Sequence, residues 1–287
     1  MTKYDYTGLI IDVGANIGDF SVEIAERNKN LLVLSVEPNE KIFSVLQQRI
    51  EKEKIKNIVP IKIALGNINE NRTFNICSSG DCGVSSLLDF NNNNLEKNDY
   101  WKTRTDLSFT EKVNVKVDRL DNILKDFPLE IPIKFIKIDT QGYDLQVLEG
   151  LGNLISRVEM GCIEVFTTKN NALYENSNCD ILSALKYLEG KRLVVQKIKP
   201  NDPANNESNI FFSKESLDLH NHEEEINIKN MLGYDDKDYW HNFSQRLHPE
   251  LVTTAEITLN EIEKLKIQVA KLEEQKSYLE AKLKIRP

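Results

Sequence analysis

LIIDVGANIG, residues 9–18, is the stretch from which the fold is read. Leu9, Ile10, Ile11 and Val13 are apolar and mostly β-branched, the composition of a buried strand, and Asp12 interrupts them near the end. Gly14, Asn16 and Gly18 follow, and then an amphipathic run. The pattern is a strand, a tight turn and a helix start. Glycines remove side chains so that a ligand can approach the backbone, and the first turn of a helix offers N–H groups without intrahelical partners. The stretch predicts a nucleotide-type cleft, and the chain to about residue 213 reads as an α/β domain built on this first strand.

Working outward, residues 19–28 carry Phe20 and Ile24 on one face, a helical spacing. Residues 31–36 (LLVLSV) form a second buried strand, closed by Glu37 and Pro38, since proline cannot donate to a ladder. Residues 40–53 predict a helix with Ile42, Val45, Leu46 and Ile50 inward, and residues 58–63 a third strand. Residues 72–77 and the alternating KVNVKV of 112–117 read as strands of period two. Between them, 78–90 is a small-residue loop and Asn91–Thr110 a polar, asparagine-rich, exposed insertion. A short helix runs from Asp118 to about Phe127. The core resumes with IKFIKID (133–139), a helix through Leu145 and Leu148, a strand at 158–165 and a helix over Cys179–Leu188. Strands at 192–198 and 210–213, joined by a polar turn, predict a hairpin. The order gives a mostly parallel, doubly wound sheet with an antiparallel end.

Residues 214–254 show charge, asparagine and isolated aromatics, and no periodicity that assigns them a fold. In the last segment Ile262, Leu265, Val269, Leu272, Leu279 and Leu283 keep a heptad spacing with Lys276 at one core position. That predicts a coiled coil over 255–287, pairing with itself or another helix, or one long helix lying on the parent domain.

Composition narrows the function. The chain has 287 residues, 40% hydrophobic and 29% charged, and a net charge of −8, which argues against a nucleic-acid partner. No window is apolar enough to span a membrane, and residues 1–8 show no secretory pattern. The four cysteines (Cys77, Cys82, Cys162, Cys179) form no CxxC pair, so free thiols and a cytoplasmic location are expected.

Three carboxylates carry the chemistry. Strand carboxyl ends line the ligand crevice of an open α/β sheet, so Asp12, Glu37 and Asp139 are expected to converge there. Glu37 suits a ribose diol, and Asp12 a ligand ammonium. Three carboxylates make a poor pyrophosphate site, and the turn DVGANIG is not GxGxxG, which argues against a nicotinamide oxidoreductase. Other readings remain for each: Asp12 as a turn cap, Glu37 as a solvated turn residue, Asp139 as the cap of the next helix. Glu164 either borders the crevice or faces solvent. Lys137 lies on the same strand face as Asp139 and either pairs with a carboxylate or meets the acceptor. His241 is a weaker candidate base, since it requires the tail to fold over the crevice. No histidine-rich ligand spacing assigns a metal site.

The stretches IDVGANIGDFS (11–21), VEPN (36–39), IKIALG (61–66), SSL (85–87), VKVDRLDNIL (115–124), FIKIDTQGYDLQVLEG (135–150) and IEV (163–165) resemble the FkbM-family methyltransferases in content and order. The resemblance implies a class I, Rossmann-like fold over residues 1–213, with a seven-stranded mostly parallel sheet and an antiparallel final strand. It implies S-adenosyl-L-methionine as cofactor and methyl transfer to an oxygen, a hydroxyl of a sugar, glycan or other natural product. By that resemblance Asp12, Gly14, Asn16, Gly18, Glu37, the adjoining Pro38, Asp139 and Gln141 are cofactor residues, and Asp139, Gln141 and Asp144 border the active site. Asp139 is then the first candidate for a general base, with Glu164 and Lys137 beside it. Gln141 stands where the family more often has glutamate. The acceptor lid is expected from 78–110 or 214–254. A non-catalytic scaffold organised by the coiled coil would tolerate loss of these acids, and they are present.

Overall fold

The computed structural model describes residues 6–77, 83–104 and 106–231. In chain order the sheet strands are β1 (Gly8–Val13), β2 (Leu31–Val36), β3 (Ile58–Ile61), β4 (Ala64–Leu65), β5 (Glu70–Ile76), β6 (Glu111–Asp118), β7 (Ile133–Ile138), β8 (Met160–Phe166), β9 (Leu193–Pro200) and β10 (Glu207–Lys214). Seven of them form the main sheet in the order β3-β2-β1-β7-β8-β10-β9. β3 to β8 run parallel, and β10 is antiparallel to both its neighbours, β8 and β9. The expected seven-stranded, mostly parallel sheet with an antiparallel final strand is therefore present.

Period-two alternation divides the core into two layers. Ile10, Val33 and Phe135 face α1 (Asp19–Arg27) and α2 (Glu40–Lys52), whose Phe20, Ile24, Phe43 and Leu46 cover them. Ile11, Leu34 and Ile136 face the other way, onto Leu120, Leu148 and Leu188 of α5 (Leu120–Ile123), α6 (Asp144–Glu149) and α7 (Ile181–Gly190). Both faces of the inner strands are buried, which accounts for their unbroken apolar runs.

A second, three-stranded sheet in the order β4-β6-β5 stands beside the first. The alternation of KVNVKV puts Val113 and Val115 against a third apolar cluster and leaves Lys112, Asn114 and Lys116 outside. That cluster corrects one expectation. The asparagine-rich stretch 91–110 is not simply an exposed insertion: it folds into α3 (Asn92–Lys97) and α4 (Asp99–Thr103), and Trp101 is fully buried. The asparagines are structural. Asn91 caps α3 through Asn94 N–H at 3.1 Å, Asn98 caps α4 through Tyr100 N–H at 3.0 Å, and the Asn94 amide donates to the Ala172 carbonyl at 2.8 Å. Burying the one large indole outweighs the polarity of its neighbours.

Residues after β10 turn back across the α1 face of the sheet. Ile226, Ile228 and Met231 are buried there, behind α8 (Leu219–Glu225). His222 reaches the Lys134 carbonyl at 2.8 Å, and Arg27 donates to the Lys229 carbonyl at 2.9 Å. Lys134 opens β7 and Arg27 closes α1, so this segment sits at the amino-terminal pole of the parallel strands, away from their carboxyl ends. The described part of 214–254 is thus not a lid over the crevice. His241 and the heptads of 255–287 lie outside the described residues. No described helix is long and apolar enough to cross a membrane.

Candidate active site

The carboxyl ends of β1, β2, β7 and β8 meet at one pole, and their loops are pressed together. Gly14 has φ +78°, and a Cβ there would lie 1.9 Å from the Asp139 carbonyl oxygen. Asp139 N–H donates to the Val13 carbonyl at 2.9 Å, and Gly14 and Ala15 both donate to the Val36 carbonyl at 2.9 Å. Asn16 and Gly18 also have positive φ, so the turn uses three left-handed positions in five residues. α1 begins at Gly18 without a side-chain cap, so no side chain takes its first amides.

One carboxyl stands near this end of each of five neighbouring strands: Glu37 (β2), Asp12 (β1), Asp139 (β7), Glu164 (β8) and Glu207 (β10). Glu37 follows β2 directly and is buried; its two oxygens accept Asn16 N–H at 3.0 Å and Asn39 N–H at 2.8 Å. Burial pushes its carboxyl up to about 7 against the pull of those amides. Asp12 is 1% exposed. One of its oxygens accepts Ser21 Oγ–H at 2.6 Å, and Ser21 in turn pairs with Ser35. The other, Oδ1, is buried without a hydrogen-bond partner. Burial raises its affinity for a proton, opposed by Lys137, its cross-strand neighbour. Asp12 is therefore covered, and its nearest opposing charge is Lys137.

Lys137 Nζ lies 3.1 Å from Asp139 Oδ2. Burial pulls this ammonium toward neutrality, but Asp139 and Asp12 together hold it above the ordinary lysine value. Asp139 is the open member of the row, with 36% of its side chain exposed. Burial works to raise it, but Lys137, Gln141 and Glu164 hold it below the usual carboxylate range, so it is ionised at neutral pH. Glu164, 6% exposed, is pushed well up by burial and by Asp139, so it keeps its proton. Side by side, the two form an acid and a carboxylate.

Gln141 joins them. Its Nε2 donates to Asp139 Oδ1 at 2.8 Å and to Glu164 Oε2 at 2.9 Å, and Tyr174 Oη lies 3.0 Å from its Oε1. An amide can do this; a carboxyl in its place would put a third acid against the other two, which accounts for glutamine here. Asn201, in the β9–β10 turn, donates to the other oxygen of Glu164. Sequence reasoning did not find Tyr174 or Asn201, since no motif connects them to residue 139. Ser86 lay in the SSL stretch but had no role: its hydroxyl donates to the Gln141 carbonyl at 2.7 Å. Asp144 faces inward rather than to the rim, accepting Thr140 N–H at 3.1 Å and Gly142 N–H at 3.2 Å, and burial lifts it to about 7. Pro38 and Asn39 open onto a groove of about 440 Å³ lined by Lys62, Ile63, Val113 and Val115.

The match to known proteins follows this geometry. A family model described as the methyltransferase FkbM domain matches residues 12–193, more than half of the chain. The chain belongs to the FkbM methyltransferase family. It is 23% identical over 195 residues to Methyltransferase 1 of Beauveria bassiana (strain ARSEF 2860), covering 67% of this chain and 74% of that one. Among solved structures it is similar to an rRNA methylase from Streptococcus thermophilus (13% identity, TM-score 0.39, 74% of this chain and 88% of that one). It is also similar to Aeropyrum pernix fibrillarin in complex with S-adenosyl-L-methionine (10% identity, TM-score 0.41, 72% and 67%).

The methyl donor that membership of this family implies is S-adenosyl-L-methionine. The first part of the row fits it. Each Glu37 oxygen retains a lone pair beyond its backbone donor, enough for a ribose diol. The uncapped amides of α1 suit the methionyl carboxylate. The absence of a Cβ at Gly14 keeps the backbone of the two loops in contact. Among the described residues no group of three or more His, Cys, Asp or Glu side chains is arranged to hold a metal ion.

Proposed function

We propose that this FkbM methyltransferase adds a methyl group to a hydroxyl of a sugar or glycan, with Asp139 accepting the hydroxyl proton. S-adenosyl-L-methionine supplies a methyl group on a sulfonium, open to attack by an oxygen in line with the breaking bond. Asp12, Gly14, Asn16, Gly18, Glu37 and Pro38 form the cofactor half of the crevice. Asp139, Lys137, Gln141 and Glu164 form the acceptor half. The observation that carries the reading is Asp139: the one carboxylate of the row that is ionised and open, at the strand end next to the cofactor turn. Lys137 keeps it charged, and Glu164 keeps its own proton, so one group and not two accepts.

The walls support a polyhydroxylated acceptor over an apolar one. Asp139 stands at the open end of a polar row in which Gln141, Glu164, Asn201 and Asn209 are linked by hydrogen bonds. Beside these groups Trp101 of α4, Phe166 and Tyr174 belong to one apolar cluster, and Tyr174 touches Gln141 through its hydroxyl. The deciding experiment is methyl transfer from labelled S-adenosyl-L-methionine to a panel of mono- and oligosaccharides, with phenolic and fatty hydroxyl compounds as comparators. Incorporation into a sugar hydroxyl, located by fragmentation mass spectrometry, is expected. Incorporation into the comparators alone overturns the sugar assignment.

A further inference from the structure

Gln141 is held in a left-handed backbone conformation. Its φ is +57° and that of Gly142 +89°, two consecutive left-handed residues of which only the second is glycine. Such a position persists only where surrounding groups over-determine it. Here four hydrogen bonds do so. Asp144 accepts the N–H groups of Thr140 and Gly142, Ser86 donates to the Gln141 carbonyl, and Ser177 donates to the Gly142 carbonyl at 2.7 Å. The result aims one side-chain amide between two carboxyls from different strands, at 2.8 and 2.9 Å. Both hydrogens of Nε2 are spent there. The two carboxyl oxygens call for the NH2 end of the amide, and Tyr174 stands at the other end, its hydroxyl 3.0 Å from Gln141 Oε1 and 2.9 Å from the Val84 carbonyl.

We propose that Gln141 is a positioning residue for methyl transfer, whose amide, buttressed by Tyr174, bridges Asp139 and Glu164 and holds the exposed side of Asp139 toward the acceptor hydroxyl. This rests on the reading of Asp139 as the proton acceptor. It assigns Tyr174, nine residues beyond the IEV stretch, a part in the reaction without contact to substrate. It also assigns a reason to glutamine at 141. The amide donates to both carboxyls whatever their charge, whereas a glutamate would compete with them for the single proton.

The test compares Gln141→Glu, Gln141→Leu and Tyr174→Phe with the wild-type full chain, using the mono- and oligosaccharide panel as acceptors, and with S-adenosylhomocysteine titrated into each protein. Gln141→Glu keeps the shape and adds a carboxyl, so the acid limb of the pH–rate profile is expected to move up by about one unit. Gln141→Leu is expected to lower kcat about tenfold to a hundredfold with the cofactor KM unchanged. Tyr174→Phe, the mildest change, is expected to lower kcat about threefold to tenfold without altering S-adenosylhomocysteine affinity. A merely structural role would leave the pH profile of Gln141→Glu where it was, and that outcome overturns the proposal even if the melting temperature falls. Asp139→Asn separates the two claims. If it retains wild-type turnover, the base reading fails. If it is inactive while all three other variants behave as wild type, the base reading stands and the positioning role falls.

Discussion

The half of the crevice under β1 and β2 is held by backbone, whereas the half under β7 and β8 is held by side chains. In the first, Gly14, Ala15 and Asn16 donate their N–H groups to Val36 and Glu37, and Glu37 also accepts from Asn39. Everything lies within residues 12–39. In the second, Asp139, Gln141, Glu164, Tyr174 and Asn201 meet from separate segments of the chain and bond mostly to one another. A backbone-built site recognises what is common to a cofactor and tolerates little change in sequence. A site built from side chains at the ends of separate elements can be altered residue by residue, which suits the part that meets an acceptor.

This contrast makes distinct predictions for the two halves. Asp139→Asn should give the largest effect, a loss of turnover of about a hundredfold to ten-thousandfold. S-adenosylhomocysteine affinity, read by isothermal titration, should stay within about threefold of wild type. Loss of cofactor binding in that variant would erase the division, because Asp139 would then belong to both halves. Gly14→Ala strikes where the halves touch. Its φ of +78° and the 1.9 Å approach to the Asp139 carbonyl leave no room for a methyl group. A stability loss of about 3 kcal/mol or more is expected in a denaturant titration, with both cofactor binding and turnover reduced. A variant as stable as wild type would mean that the two loops are not in contact. Glu37→Ala is smaller: S-adenosylhomocysteine binding weakens about tenfold to a hundredfold, and kcat at saturating cofactor falls little. A kcat loss as deep as that of Asp139→Asn would show that the backbone-built half also serves the chemistry.

The same contrast sets what could be read from the sequence. The first half was legible because its parts are neighbours: a β-branched run, Gly14, Asn16 and Gly18 name a strand and a left-handed turn without any tertiary information. The sheet was legible for a similar reason, since doubly buried strands are continuous apolar runs. Asp139, Lys137 and Glu164 were found by strand-end logic, but their charge states were not, because these depend on burial and on one another. Tyr174 and Asn201 carry no local signature, since a tyrosine in a loop and an asparagine in a turn are common residues. The asparagine-rich stretch reads as exposed for the opposite reason: composition suggests solvent, while its helices, capped by Asn91 and Asn98, anchor it to the third apolar cluster through Trp101. Asp12 is expected to meet a ligand ammonium; in the fold one of its oxygens accepts from Ser21 and the other, Oδ1, has no hydrogen-bond partner.

The smallest expected effect concerns three buried acids whose proton affinity burial raises, one in the cofactor half and two beyond it. Burial raises Glu37 and Asp144 to about 7 and Glu207 to about 8, from ordinary values of 4.5, 3.8 and 4.5. Between about pH 5 and pH 8 the folded chain therefore holds protons that the unfolded chain has released. With more protons bound in the folded state, the free energy of unfolding falls as pH rises, so stability is fullest below about pH 4.5 for these groups and is lost through 7 to 8. Asp139, shifted the other way, acts only at more acid pH and does not cancel the slope. The melting temperature of the cofactor-free protein should thus decline by several degrees from pH 5 to pH 8. Glu207→Gln, which removes the group with the highest value from the acceptor side, should flatten the decline. A melting temperature that climbs over that interval, in wild type and variant alike, would mean that these carboxyls are ionised in the fold.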